Sequence, residues 1–157
     1  PLCMNSSGVN ASSRFRFAAA VTVAASIALV LAGCSPAGSI ATETIRGVAP
    51  GVTLTDNEGL GETPIAVWTD DRATLTVITW GSSGCPSVPR SLEVASESVL
   101  VLRFAPPTDQ ACTADFAPTS HVLTTPAGVG AGAVTADMIF EARQGEDPFA
   151  ISVPVRD

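Results

Sequence analysis

The chain predicts an all-β fold: a small antiparallel β-sandwich of about seven short strands, with an immunoglobulin-like arrangement as one form and a small barrel as the other. Three observations predict it. From about residue 48 onward, apolar and polar residues alternate with period two. Twelve prolines and thirteen glycines, scattered along the chain, interrupt helices and favour turns. No amphipathic helical pattern of useful length occurs in the same region.

Taken in order, "PIAVWT" and "ATLTVITW" flank Asp70-Asp71-Arg72, a turn signal that makes residues 64 to 80 a hairpin. In its second strand Leu75, Val77 and Thr79 share one face, and Thr76, Ile78 and Trp80 the other. "SLEVA" and "SVLVLRF" follow, with Leu100, Leu102 and Phe104 expected inward and Val99, Val101 and Arg103 outward. "SHVLTT", "ADMIFEAR" and "FAISVPVR" complete the set, separated by turn-rich segments such as "APPTDQ" and "PAGVGAGA". His121, beside Val122 and Leu123, is expected to face solvent or a loop.

The amino-terminal part has a different character. Arg14 and Arg16 precede "FAAAVTVAASIALVLA", in which only Thr22 and Ser26 are polar. Sixteen residues at about 1.5 Å each reach roughly 24 Å, short of the ~30 Å hydrocarbon core that a spanning helix must cross. A basic stretch, a short apolar stretch and small residues at its end together predict a secretory signal peptide over residues 1–33, with Pro1 to Cys3 as an upstream extension before Met4. A buried core helix is the alternative, but residues apolar on every side leave no face for solvent.

The tetrapeptide Leu31-Ala32-Gly33-Cys34 resembles the lipobox of bacterial lipoproteins, and the chain is similar in style to small actinobacterial lipoproteins of unassigned activity. The resemblance covers the targeting segment. It implies that the Cys34 thiol receives a diacylglyceryl group, that cleavage precedes Cys34, and that the new amino terminus is acylated in turn. Two acyl chains meet the two-signal requirement for stable membrane anchoring that one chain fails. The expected location is the extracytoplasmic face of the cell membrane, with lipid on Cys34 as the membrane partner. "SPAGSIATETIRG" then reads as a flexible tether over residues 34–47, too poor in large apolar residues to order itself, and the β domain occupies residues 48–157.

With Cys3 removed and Cys34 lipidated, Cys85 and Cys112 remain, an even pair in a compartment that permits oxidation. A disulfide between them would join "GSSGCPSVPR" to "PPTDQACTADFAPTS" at one end of the domain.

Charge narrows the partners. From Cys34 onward six arginines stand against fifteen acidic residues, leaving a formal charge of −9, and the chain contains no lysine. Such a surface repels phosphate backbones and anionic lipid headgroups, so nucleic acid is not an expected partner.

Catalytic patterns are weak. "TWGSSGCP" lacks the second cysteine of a redox loop and the spacing of a nucleophile elbow, so a Gly/Ser turn leading into a disulfide accounts for it. His121 is the only histidine, and any hydrolytic site would have to pair it with Ser82 or Ser83. "DNEG", "TDDR" and "GEDP" carry carboxylates at turns without the alternate-residue pattern of a calcium loop, and "GVGAG" precedes a strand rather than a helix that could hold an anion. No metal or cofactor is expected. The reading is a non-enzymatic binding or interaction module of the cell envelope, contacting an envelope protein or ligand through Trp80, Pro86, Phe116 and His121. The alternatives are an extracytoplasmic hydrolase using Ser82 or Ser83 with His121, and a purely structural envelope protein.

Overall fold

The computed structural model describes residues 38–55, 63–106, 111–142 and 145–157. Cys34 with its lipobox, the leader before it and the acidic "DNEG" segment lie outside the described residues. Within them the fold is all-β, without a helix. The strands are β1 (Glu43–Arg46), β2 (Ile65–Thr69), β3 (Thr74–Gly81), β4 (Pro89–Ser96), β5 (Val99–Phe104), β6 (Ala117–Thr124), β7 (Val134–Phe140) and β8 (Phe149–Arg156).

The expected two-layer antiparallel sandwich is not what forms. All eight strands join one mixed sheet in the order β1-β6-β3-β2-β8-β7-β5-β4, with β2–β8 and β5–β7 parallel and the other neighbours antiparallel. The sheet curls so that its inner face closes on itself, and the Ile40 N–H donates to the Pro89 carbonyl at 3.0 Å, tying the segment before β1 to the opposite edge strand. Period-two alternation requires one buried face per strand, and a single sheet curled around its own core satisfies that as well as two stacked sheets do.

The inner face carries the main core: Ala66 and Trp68, Leu75 and Val77, Leu100, Leu102 and Phe104, Leu123, Val134, Ala136 and Met138, Val153 and Val155. In β5 the inward set is the predicted one, each residue fully buried while Arg103 is exposed. The hairpin of residues 64 to 80 forms as expected, and both its strands are buried on two faces. Ile65, Val67 and Ile78 on the outer face are covered by Val48, Val52 and Leu54. Strands covered on both sides lose the alternation of a half-solvated strand and read as near-continuous apolar runs.

The tether needs a correction. Glu43–Arg46, placed within the flexible 34–47 segment, form β1 against β6, so ordered structure begins before Val48. Backbone pairing holds this short polar edge strand where side-chain burial alone would not. The Ser120 hydroxyl next to it donates to the Gly47 carbonyl at 2.8 Å and accepts from the Ala49 N–H at 2.9 Å, which seats the covering segment.

A candidate binding cleft at the aromatic end

All four phenylalanines beyond the leader gather at one end of the curled sheet. Phe104 and Phe140 close β5 and β7, Phe149 opens β8, and Phe116 immediately precedes β6. The register explains the clustering: β5 and β7 run in parallel with Phe104 opposite Phe140, and the antiparallel β7–β8 pair places Phe140 opposite Phe149. Phe104 and Phe140 stack with ring centroids 4.5 Å apart and planes 6° apart, and Phe149 lies 5.9 Å from Phe140. Such offset and tilted pairs are the favoured aromatic geometries.

Between these rings lies a cleft of about 260 Å³, lined by Pro64, Thr79, Trp80, Ser87, Phe116, Phe140 and Phe149. Among the described residues no charged side chain lines it. Phe116 and Phe149 form its rim and are 66% and 59% exposed, the two most exposed large apolar side chains among the described residues. Of the expected patch, Trp80 and Phe116 therefore face one cleft, and Pro86 directly precedes the lining residue Ser87. Phe140, Phe149, Pro64, Thr79 and Ser87 were missed. A phenylalanine at each end of the "FEARQGEDPF" segment, closing one strand and opening the next, was the available signal.

His121 does not reach this surface. Its register partners are Val77 and Thr44, it shares the inner face with Leu123, and it is 0% exposed, contrary to the expectation of solvent or loop. The Phe104 ring meets it edge-on at 6.0 Å. Neither ring nitrogen has a hydrogen-bond partner among the described residues. Desolvation by burial lowers its pKa from 6.5 to about 4, so at neutral pH the imidazole is uncharged, with one N–H donor and one lone-pair acceptor.

Cys85 and Cys112 stand at disulfide-bonding distance, with Cα atoms 5.4 Å apart, in the β3–β4 and β5–β6 connections. Thr113 organises the surrounding loop: its hydroxyl meets Ser82 Oγ at 2.8 Å and Ser83 Oγ at 3.3 Å, accepts the Gly84 N–H at 2.9 Å and donates to Asp115. The Ser83 hydroxyl, that Thr113 hydroxyl and the Ser83 N–H hold the Asp115 carboxyl at about 2, below its usual 3.8. Ser82 and Ser83 thus turn toward Thr113 and Asp115, and the structure does not bring either serine together with His121 as a nucleophile–base pair.

Among the described residues no group of three or more His, Cys, Asp or Glu side chains is placed to hold a metal ion. The "GVGAG" segment acts as a loop: the Gly130 N–H donates to the Glu97 carbonyl at 2.8 Å, and Arg72 reaches the next two carbonyls, of Ala131 and Gly132. No protein-family model, curated protein or solved structure matches the chain.

Proposed function

We propose that this chain is a lipid-anchored, extracytoplasmic binding module of the bacterial cell envelope that takes an uncharged apolar ligand into the cleft between Trp80, Phe116, Phe140 and Phe149. The observation that carries the reading is the cleft itself. Two exposed phenylalanines cost solvation where they stand, and they border a concavity whose described lining residues carry no charge, the kind of site that small apolar ligands occupy. The loops beside it are held by the Cys85–Cys112 pair and the Thr113 hydrogen bonds, so little ordering is left to be done on binding.

Anchoring rests on Leu31-Ala32-Gly33-Cys34 after its basic and apolar stretches. A cysteine pair poised for a disulfide suits an oxidising compartment. Two experiments test the two halves. Metabolic labelling with palmitate should mark the chain and should fail for Cys34→Ala; equal labelling of both, or none of either, removes the anchor. Titration of the full chain with toluene should perturb Trp80 fluorescence, and Phe116→Ala should weaken binding several-fold with little change in stability, because Phe116 is a rim residue.

A further inference from the structure

Aromatic rings line the cleft, and carboxylates flank those rings along the chain. Trp80, Phe116, Phe140 and Phe149 make up four of its seven described lining residues. Each of the three phenylalanines has an acidic residue within two positions: Asp115 precedes Phe116, Glu141 follows Phe140, and Asp147 stands two before Phe149. All three acids are exposed. Asp115 stays ionised far below neutral pH, because the Ser83 and Thr113 hydroxyls hold its carboxyl near 2.

The same bias runs through the connections that supply the lining. Residues 47–64, 82–88 and 105–116 carry Pro64, Ser87 and Phe116, and residues 141–148 join Phe140 to Phe149. Together these connections contain eight carboxylates and one arginine, Arg143. The rest of the chain from Cys34 onward has seven carboxylates against five arginines, close to balance. The negative charge of the domain is therefore concentrated on the segments around the cleft, where it attracts cations toward an uncharged aromatic lining.

We propose that the cleft also binds quaternary ammonium groups, with its aromatic side chains holding the methylated head and the flanking carboxylates drawing it in. This goes beyond the neutral ligands of the binding-module reading and rests on the same cleft. The faces of aromatic rings are electron-rich and attract a cation, Trp most strongly, and the attraction gains when water is excluded. A quaternary head presents only methyl groups, so it meets these walls as an uncharged apolar ligand does. It has no N–H, so no hydrogen bond to water is stripped from it on entry. A primary ammonium brings three donors, and the described lining side chains answer them with the Thr79 and Ser87 hydroxyls alone. The head also fits, since it is smaller than benzene, which an apolar cavity of about 150 Å³ already takes, and the cleft measures about 260 Å³.

The test titrates the full chain calorimetrically with three probes at low salt. Choline carries the quaternary head, 3,3-dimethyl-1-butanol replaces its charged nitrogen by carbon, and ethanolamine keeps the charge but exposes N–H groups. Choline should bind about fivefold more tightly than the alcohol, the preference that cation–π attraction gives at a partly exposed site, and more tightly than ethanolamine. Added salt should weaken choline and spare the alcohol, because the carboxylates act through solvent. Phe116→Leu, at a side chain 66% exposed, should narrow the gap between choline and the alcohol. Equal affinities for choline and the alcohol, or for choline and ethanolamine, would overturn the quaternary ammonium class, as would choline failing to bind where toluene binds. Failure of choline, the alcohol and toluene alike removes the cleft reading as well. The wild-type affinities decide the question even if the variant does not fold.

Discussion

The two ends of the curled sheet solve the same problem in opposite ways. At the end bearing the β2–β3 turn, Trp68 is buried beneath Arg72, whose guanidinium lies 4.9 Å from the indole centroid. The same guanidinium donates to the Ala131 and Gly132 carbonyls at 2.7 and 3.1 Å and meets Asp157 at 3.3 Å. One cation thereby joins a turn, a loop and Asp157 over an aromatic ring. At the other end Phe116 and Phe149 are left exposed, and the chain is held instead by a cysteine pair and a hydroxyl network beside the opening. The first end shields its aromatic from water; the second keeps its aromatics available and secures its loops from the side. This asymmetry supports the proposed binding site at the phenylalanine end.

The comparison is broken most forcefully by removing the bridge. Closing a chain separation of 27 residues is worth about 3.6 kcal/mol in the chain-entropy model. Reduction, or Cys85→Ser with Cys112→Ser, should lower the unfolding free energy by about that amount in a urea titration. Toluene binding should weaken with it, because the loop carrying Thr113 leads directly to the rim residue Phe116. A reduced protein of unchanged stability would show that the open end is held by its hydroxyl network alone.

Acid attacks the core through His121. The folded protein holds its pKa near 4 against 6.5 for a free imidazole, so the unfolded chain takes up the proton first. The stability is fully present above about pH 6.5 and drains as pH falls toward 4, by about 3 kcal/mol in all. Asp115 acts in a lower window: held near 2, its contribution is present above 3.8 and fades below it. Urea midpoints measured from pH 7 to 4 should therefore fall for the wild type and stay nearly level for His121→Phe. A parallel decline in both would assign the acid sensitivity to other groups.

How much of this was legible depends on the range of the interaction. The inward set Leu100, Leu102 and Phe104 and the hairpin around Asp70 to Arg72 were readable because alternation and turn chemistry are local. The parallel neighbours were not: β8 enters between β2 and β7, pairing Ala66 with Val155, and nothing near either residue encodes the other. β1 was hidden in a polar segment whose order comes from backbone pairing to β6. The burial of His121 could have been read, since it stands two residues from Leu123 on one strand and must share its face. A polar residue type weighed against that periodicity, and the periodicity prevailed.

The closed end gives a smaller effect. Arg72→Ala removes two hydrogen bonds to carbonyls and the stacking on Trp68, and should cost about 1–2 kcal/mol because the site is partly exposed. It should leave toluene binding at the opposite end unchanged. Loss of binding in this variant would mean that the two ends are coupled through the sheet.

The smallest effect sharpens the contrast most. Asp70, Asp71 and Arg72 occupy the left-handed region in succession, with φ of 52°, 52° and 67°, and the turn closes with the Ala73 N–H on the Asp70 carbonyl at 2.9 Å. Residues with a Cβ resist this conformation by about 1–2 kcal/mol each, aspartate less than most. Arg72 has to be kept for its clamp, and the Asp70 carboxylate lies 3.4 Å from the Thr74 hydroxyl. Exposed Asp71 can be exchanged freely. Glycine there relieves the strain, while its greater freedom in the unfolded chain costs about 0.5–1 kcal/mol, so Asp71→Gly should stabilise the protein by roughly 0.5 kcal/mol. Thermal unfolding of this variant beside Asp71→Val, whose branched side chain fits the left-handed region poorly, should displace the midpoints in opposite directions. A valine variant as stable as the wild type would show that the turn relaxes away from these angles, and that Arg72 holds Ala131, Gly132, Asp157 and Trp68 without a strained turn behind it.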